Sequence, residues 1–166
     1  SDSAKKLYTE VYYYFSQREN FYTQTSLRYS VDDKTTEAEL ETAMAALLME
    51  RPELFWIKAF DLSDISDGKI CVTPRFAYDN IDAYADRDEF DSNINELVAV
   101  NGNTIEERLE NLIAEFHNRK FKIYKNGDDT VNKLKSAAHL CVFKEGTSES
   151  VAKLIRILCR SWNIPS

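Results

Sequence analysis

At 166 residues the chain is long enough for one domain or two small ones, and a fold of that size buries about two-thirds of its extended surface. Apolar residues make up 43% and charged residues 30%, the balance of an ordinary globular protein, and no apolar run is long enough to span a membrane. The net charge of −7 argues against a nucleic-acid or anionic-membrane partner and leaves a basic protein as the electrostatic option.

In chain order, Ala4 to Arg18 predicts a helix with Leu7, Val11, Tyr14 and Phe15 on one face. The run Tyr12-Tyr13-Tyr14 invites a ligand-binding reading, but a helix spreads three successive side chains around its cylinder, so packing at core and rim is the better account. Phe21 to Val31 alternates (Phe21, Thr23, Thr25, Leu27, Tyr29 and Val31 on one side) and predicts a half-buried strand. Asp32-Asp33-Lys34 marks a turn. Thr36 and Glu39 then form a capping box for a helix whose apolar stripe is Leu40, Ala43, Met44, Leu47 and Leu48. Pro52 ends that helix, and Glu53-Leu54-Phe55-Trp56-Ile57 is expected to open a second strand that runs to about Phe60. Asp67-Gly68 is a hairpin turn signal, with a returning strand from Lys69 to Tyr78 in which Pro74 marks an edge or a bulge. Asp61, Asp64 and Asp67 are spaced by three, which is not the alternate-residue spacing of a calcium loop.

Asn80 to Asn103 is acidic. It is read as a linker followed by a helix from about Asp88 to Val100, and the charge run Asp82, Asp86, Asp88, Glu89 and Asp91 as a solvated face. Thr104 and Glu107 form another capping box, ahead of a helix with the stripe Ile105, Leu109, Leu112, Ile113 and Phe116. His117 near its end suits the negative pole of the helix dipole. Lys120 to Lys125 reads as a short strand or extended link, Asn126-Gly127 as a turn, and a short helix leads into Ser136. The chain thus divides into an N-terminal α+β module, residues 1–80, and a mostly helical segment, residues 81–166. No metal site is predicted, because Cys71, Cys141 and Cys159 lie too far apart, and Cys141 and Cys159 read as small buried hydrophobes. No cofactor is predicted either, since four glycines provide no phosphate loop.

Ser136 to Ser166 carries the most information. Leu140 to Phe143 is a brief apolar run, a strand or a buried helix end, and Lys144 to Thr147 is a polar break around Gly146. From Ser148, placed as an N-cap, Val151, Leu154, Ile155, Leu158 and Trp162 recur at helical spacing. Gly146-Thr147-Ser148-Glu149-Ser150 is one glycine short of the G-x-S-x-G elbow of serine hydrolases, and no acid-then-His pair follows it. His139, nine residues earlier, is the histidine that would approach Ser148 across the turn, but a Ser–His pair alone lacks its orienting acid.

This segment resembles the nucleophile region of the transglutaminase-like, papain-like cysteine enzymes of Gram-positive bacteria, in which a motif of the type SAYGALVxGxxVCxGYAxxFxxLxxxxGIP sets the catalytic Cys at a helix start. Laid over it without gaps, Ser136, Ala137, Val142, Ala152 and Ile164-Pro165 match, and the Cys position falls on Ser148. Arg51-Pro52-Glu53-Leu54-Phe55-Trp56 resembles a (D/R)PE(L/I)FW segment of N-terminal modules in such proteins. The resemblance implies an α+β fold: a helix–strand–helix–hairpin layer followed by the start of a transglutaminase-like core. It implies a degenerate or truncated, non-catalytic protein that binds a protein partner or serves structurally, secreted or at the cell surface, with the cytoplasm as the alternative. The family's catalytic His and Asp follow the Cys at a distance, and only eighteen residues follow Ser148. Two other readings stand beside it. In one, the chain is the front half of a cysteine enzyme that attacks a Gln amide or peptide carbonyl through a thiolate at position 148. In the other, it is an acidic interaction protein for a basic partner. In each case the apolar face of the 148–162 helix is expected to be buried, by the N-terminal layer or by a second copy in a homodimer.

Overall fold

A computed structural model describes residues 1–32, 34–66, 68–77, 83–125 and 135–165, without the side chains of 64–66 and 83–86. The fold is α+β, and the chain forms two compact units, Ser1–Tyr84 and Ala85–Ser166.

The first unit begins with helix α1, Asp2–Ser16, where the i, i+4 spacing of Leu7, Val11 and Phe15 puts all three in the core. Of the three tyrosines, Tyr12 and Tyr14 pack on the rim of that core while Tyr13 is exposed, as helical geometry requires. Helix α2, Glu37–Glu50, opens on the expected capping box. The Thr36 hydroxyl accepts from the Glu39 N–H at 3.3 Å, and the Glu39 carboxylate accepts from the Thr36 N–H at 2.9 Å. Its buried stripe is Leu40, Met44 and Leu47. Pro52 starts a single 3₁₀ turn, Pro52–Leu54, at a position where its missing N–H leaves no bond unmade.

Strands β1 (Leu27–Ser30), β2 (Ile57–Ser66) and β3 (Lys69–Phe76) form an antiparallel sheet in the order β1-β3-β2, with Val72 opposite both Leu27 and Leu62. β2 starts at Ile57 rather than at Glu53, because Pro52–Leu54 is taken up by the 3₁₀ turn, and it runs past Phe60, the expected end, to Ser66. Ile70 and Val72 belong to the core, and Leu27, Tyr29, Phe60 and Leu62 pack against it half-buried. Asp61 pairs with Arg75 at 3.0 Å, so its carboxylate is engaged on the sheet; the Asp64 side chain and Asp67 lie outside the described residues. Pro74 stands two residues past Val72, beyond the pairing with β1, so among the described residues β3 there pairs with β2 alone, through Phe60.

The expected strand from Phe21 to Val31 is shorter than its alternation suggests, because only Leu27–Ser30 joins the sheet. Tyr22 has a positive φ of 56°, which breaks an extended run. Phe21 is buried for another reason: its ring meets Trp56 edge-on at 4.5 Å, with Phe55 at 6.2 Å.

Arg51 and Glu53, from the segment that carries the second resemblance, clamp α1 to the end of α2. The Arg51 guanidinium lies 4.2 Å over the Tyr12 ring and donates to the Tyr8 hydroxyl at 3.2 Å, and the Tyr12 hydroxyl donates to Glu53 at 3.0 Å.

Helix α3, Ala83–Val98, starts earlier than expected and, from Ala85 on, opens the second unit. The linker expected before it falls largely on residues outside those described. Helix α4, Ile105–Asn118, is capped by Thr104, whose hydroxyl accepts from the Glu107 N–H at 3.1 Å, while the Glu107 carboxylate reaches one residue further back, to the Asn103 N–H at 2.8 Å. The α4 stripe is narrower in burial than in sequence: Leu112 is fully buried, Leu109 and Phe116 partly, and Ile105 and Ile113 are exposed. Arg119 bonds Glu115 at 2.7 Å and Glu96 at 3.0 Å, tying α4 to α3.

Strand β4, Lys122–Tyr124, pairs in parallel with β5, Glu145–Thr147. Between them in sequence lies helix α5, Ala137–Phe143, so the run Leu140–Phe143 is helical. The expected polar break at 144–147 is therefore a strand, except for Lys144, whose left-handed backbone (φ 60°) ends α5. The expected turn at Asn126-Gly127 and the helix leading into Ser136 lie outside the described residues. Helix α6, Ser148–Ser161, packs on α5 and β5 and buries Leu154, Ile157 and Leu158 within the single chain. Val151 and Ile155 are half-buried. Trp162, just past the helix, donates from Nε1 to the Val98 carbonyl at 3.0 Å and lies under Arg108.

Candidate functional site

The junction of β5 and α6 holds the residues that the sequence singles out. Ser136 caps α5, its hydroxyl accepting from the Ala138 N–H at 3.2 Å, and the αL residue Lys144 turns the chain into β5. The N-cap of α6 is Thr147, not Ser148. Ser148 is the first residue inside the helix and is exposed. Ser150 is the buried partner of the cap: its hydroxyl accepts from the Thr147 N–H at 2.9 Å and donates to the Thr147 carbonyl at 2.8 Å. The cap expectation was off by one residue because Thr147 and Ser148 are both good cap formers, and the β-region backbone of Thr147 (φ −115°, ψ 174°) decides between them.

Glu149, in the same first turn, is paired with Lys153 at 2.7 Å, and Lys153 also donates to the Lys135 carbonyl at 3.0 Å. His139 sits half-buried on α5 with its ring 4.6 Å from that of Phe143. A serine needs an adjacent base to become a nucleophile. His139 makes a ring contact with Phe143, and Glu149 and Lys153 are engaged in structural bonds. Cys141 is fully buried, and burial pushes its thiol up to about 12, with Arg119 drawing it only partly back. It is an inert hydrophobe, as expected. Cys71 is buried in β3 and Cys159 is half-buried on α6. Among the described residues no group of three or more His, Cys, Asp or Glu side chains is arranged to hold a metal ion.

Two features escaped the sequence reading. A groove of about 680 Å³ runs between α1 and α2, floored by Ala4, Ala38, Ala43 and Ala46 and bordered by Tyr8 and Glu50, whose side chains bond at 2.8 Å. Its signal was the small-residue series Ala38, Thr42 and Ala46 on the helix face away from the apolar stripe. The other is the outer edge of β4. Its signal, the alternation of Lys with aromatic and aliphatic residues from Lys120 to Lys125, was visible, but its parallel partner β5 was not.

Comparison with known proteins returns nothing: no family model, no curated protein and no solved structure matches the chain.

Proposed function

We propose that this chain is a non-catalytic, transglutaminase-like binding or structural module, a degenerate relative of cysteine acyltransferases and peptidases in which Ser148 stands at the nucleophile position. The observation that carries the reading is the place of residue 148: it opens α6 directly after β5, exposed, at the positive end of the peptide dipoles. A thiolate is stabilised at such a place, whereas a serine hydroxyl there stays protonated near neutral pH without a strong base. Cys141 supplies no replacement nucleophile, since its thiol is buried and held neutral.

The test is to incubate the chain and its Ser148→Cys variant with a glutamine-containing acceptor protein and a fluorescent primary amine. The expected outcome is no amine incorporation and no amide hydrolysis by either form. Turnover by the variant would replace this reading with that of an enzyme's front half, and turnover by the serine form would end it outright. Intact mass of the protein from its native source, with peptide mapping across residues 146–156, reads which residue occupies position 148 in nature.

A further inference from the structure

We infer that the outer edge of β4 is a docking site for an extended, acidic segment of a partner protein, which adds to the β4–β5 sheet as a third strand. The inference rests on the reading of the chain as a binding module, though not on position 148.

The backbone geometry comes first. In a parallel ladder, successive residues turn their N–H and C=O groups to opposite sides of the strand. The Lys122 N–H donates to the Lys144 carbonyl at 2.8 Å, so Lys122 and Tyr124 face β5, and the N–H and C=O of Ile123 face away from it. Among the described residues no strand lies on that outer side. Two strands of three residues are a minimal sheet, and a third strand would complete the hydrogen bonding of the middle one. The side chains add apolar area on both faces of the added strand: Ile123 is 48% exposed and Tyr124 45%, and adjacent residues of a strand point to opposite faces.

Charge selects the occupant. Lys120, Lys122, Lys125 and Lys144 are all exposed around this edge, in a chain whose net charge is −7. Lys122 is matched by Glu145 at 3.3 Å, while Lys120, Lys125 and Lys144 form no ion pair among the described residues. Lys120 and Lys144, both with left-handed backbones (φ 59° and 60°), come before the parallel strands β4 and β5 and so stand at the same end of the two-stranded sheet, with Lys125 at the other end of β4. Edge lysines discourage pairing with an identical edge, because like charges are brought together. The same lysines favour a strand that brings carboxylates to both ends, with apolar residues between them.

The experiment uses the whole chain, isotopically labelled, titrated with the acetylated peptide Glu-Ile-Glu-Val-Glu and with its counterpart carrying Lys in place of Glu. Saturation with the acidic peptide is expected to slow amide exchange at Ile123 by about tenfold, with resonance shifts confined to residues 120–125 and 144–147. Its affinity should fall about fivefold or more in the double variant Lys120→Glu/Lys125→Glu, and likewise as salt rises from about 50 to about 300 mM. Ile123→Pro, which removes the outward N–H at an edge where proline is tolerated, should lower the affinity for the acidic peptide about fivefold or more and abolish the shifts at residues 144–147. Should that variant lose its far-UV circular dichroism, the charge-reversed surface variant decides alone.

The inference is overturned by equal binding of the lysine peptide, by shifts centred elsewhere, by an unprotected Ile123 amide at saturation, or by a single-stranded oligonucleotide that binds as tightly as the acidic peptide. Concentration-dependent protection of Ile123 without peptide would also overturn it, by making a second copy of the chain the occupant. Amine incorporation in the Ser148→Cys assay would sink the functional reading and leave the exchange measurement at Ile123 unaffected.

Discussion

Ser148 and Ser150 are two residues apart at the start of one helix, and burial makes them unequal. The Ser150 hydroxyl is out of contact with water and bonds both the N–H and the C=O of Thr147, so removing it takes two hydrogen bonds from buried backbone groups at the start of the helix. Ser150→Ala is expected to destabilise the protein by about 1–3 kcal/mol. Ser148→Ala, at an exposed position next to the cap, should fall within about 0.5 kcal/mol of the parent. Urea denaturation of both variants checks the pair, and an equal loss at both would return Ser148 to the role of cap. Cys141 and Tyr29 make a prediction about pH. Burial raises the Cys141 thiol from 9.0 to about 12 and, with a smaller push from Glu10, raises the Tyr29 phenol from 10.0 to about 12. A group whose folded value is raised contributes stability that is complete below its unfolded value and is lost as pH climbs to the folded one. Stability should therefore decline from about pH 9 towards pH 12, and Cys141→Ala should shallow that decline, as read from denaturation midpoints across the alkaline range.

Whole elements were legible wherever two independent local signals agreed. In α2 and α4 a capping residue and a helical stripe point to the same start, and both helices begin where the caps place them. The 21–31 stretch offered one signal only, alternation, which says nothing about where the backbone of Tyr22 turns left-handed. β5 offered none: Glu145-Gly146-Thr147 has no apolar residue, and a three-residue parallel strand exists only because β4, more than twenty residues earlier, is there to pair with it. The candidate site divided in the same way. The start of α6 was visible from periodicity, but the cap residue depended on a backbone angle and the open edge of β4 on a long-range pairing. Phe21 shows what was lost by reading it as a strand residue. It sits against Trp56 and Phe55 as part of the core, so Phe21→Ala should cost about 3–5 kcal/mol. A strand residue of the half-buried kind first expected would cost far less, and chemical denaturation distinguishes the two.

On the scale of the whole molecule, the first unit contains a continuous core of its own, from Ala4 to Val72, with the rim aromatics extending to Phe76. A fragment of residues 1–84 is therefore expected to fold alone, with a cooperative urea transition and a near-ultraviolet dichroism signal from its packed Trp56. A broad, non-cooperative transition would show that this core is insufficient. The order β1-β3-β2 has a further consequence, which concerns time. β2 and β3 are joined by a tight hairpin connection, so their pairing closes a small loop and can form early. β1 precedes them in sequence but must wait for β3, because Leu27 has nothing to lie against until Val72 is in place, and the whole of α2 and β2 intervenes. Of the three strands of this sheet, the first to be synthesised is thus expected to be the last to join.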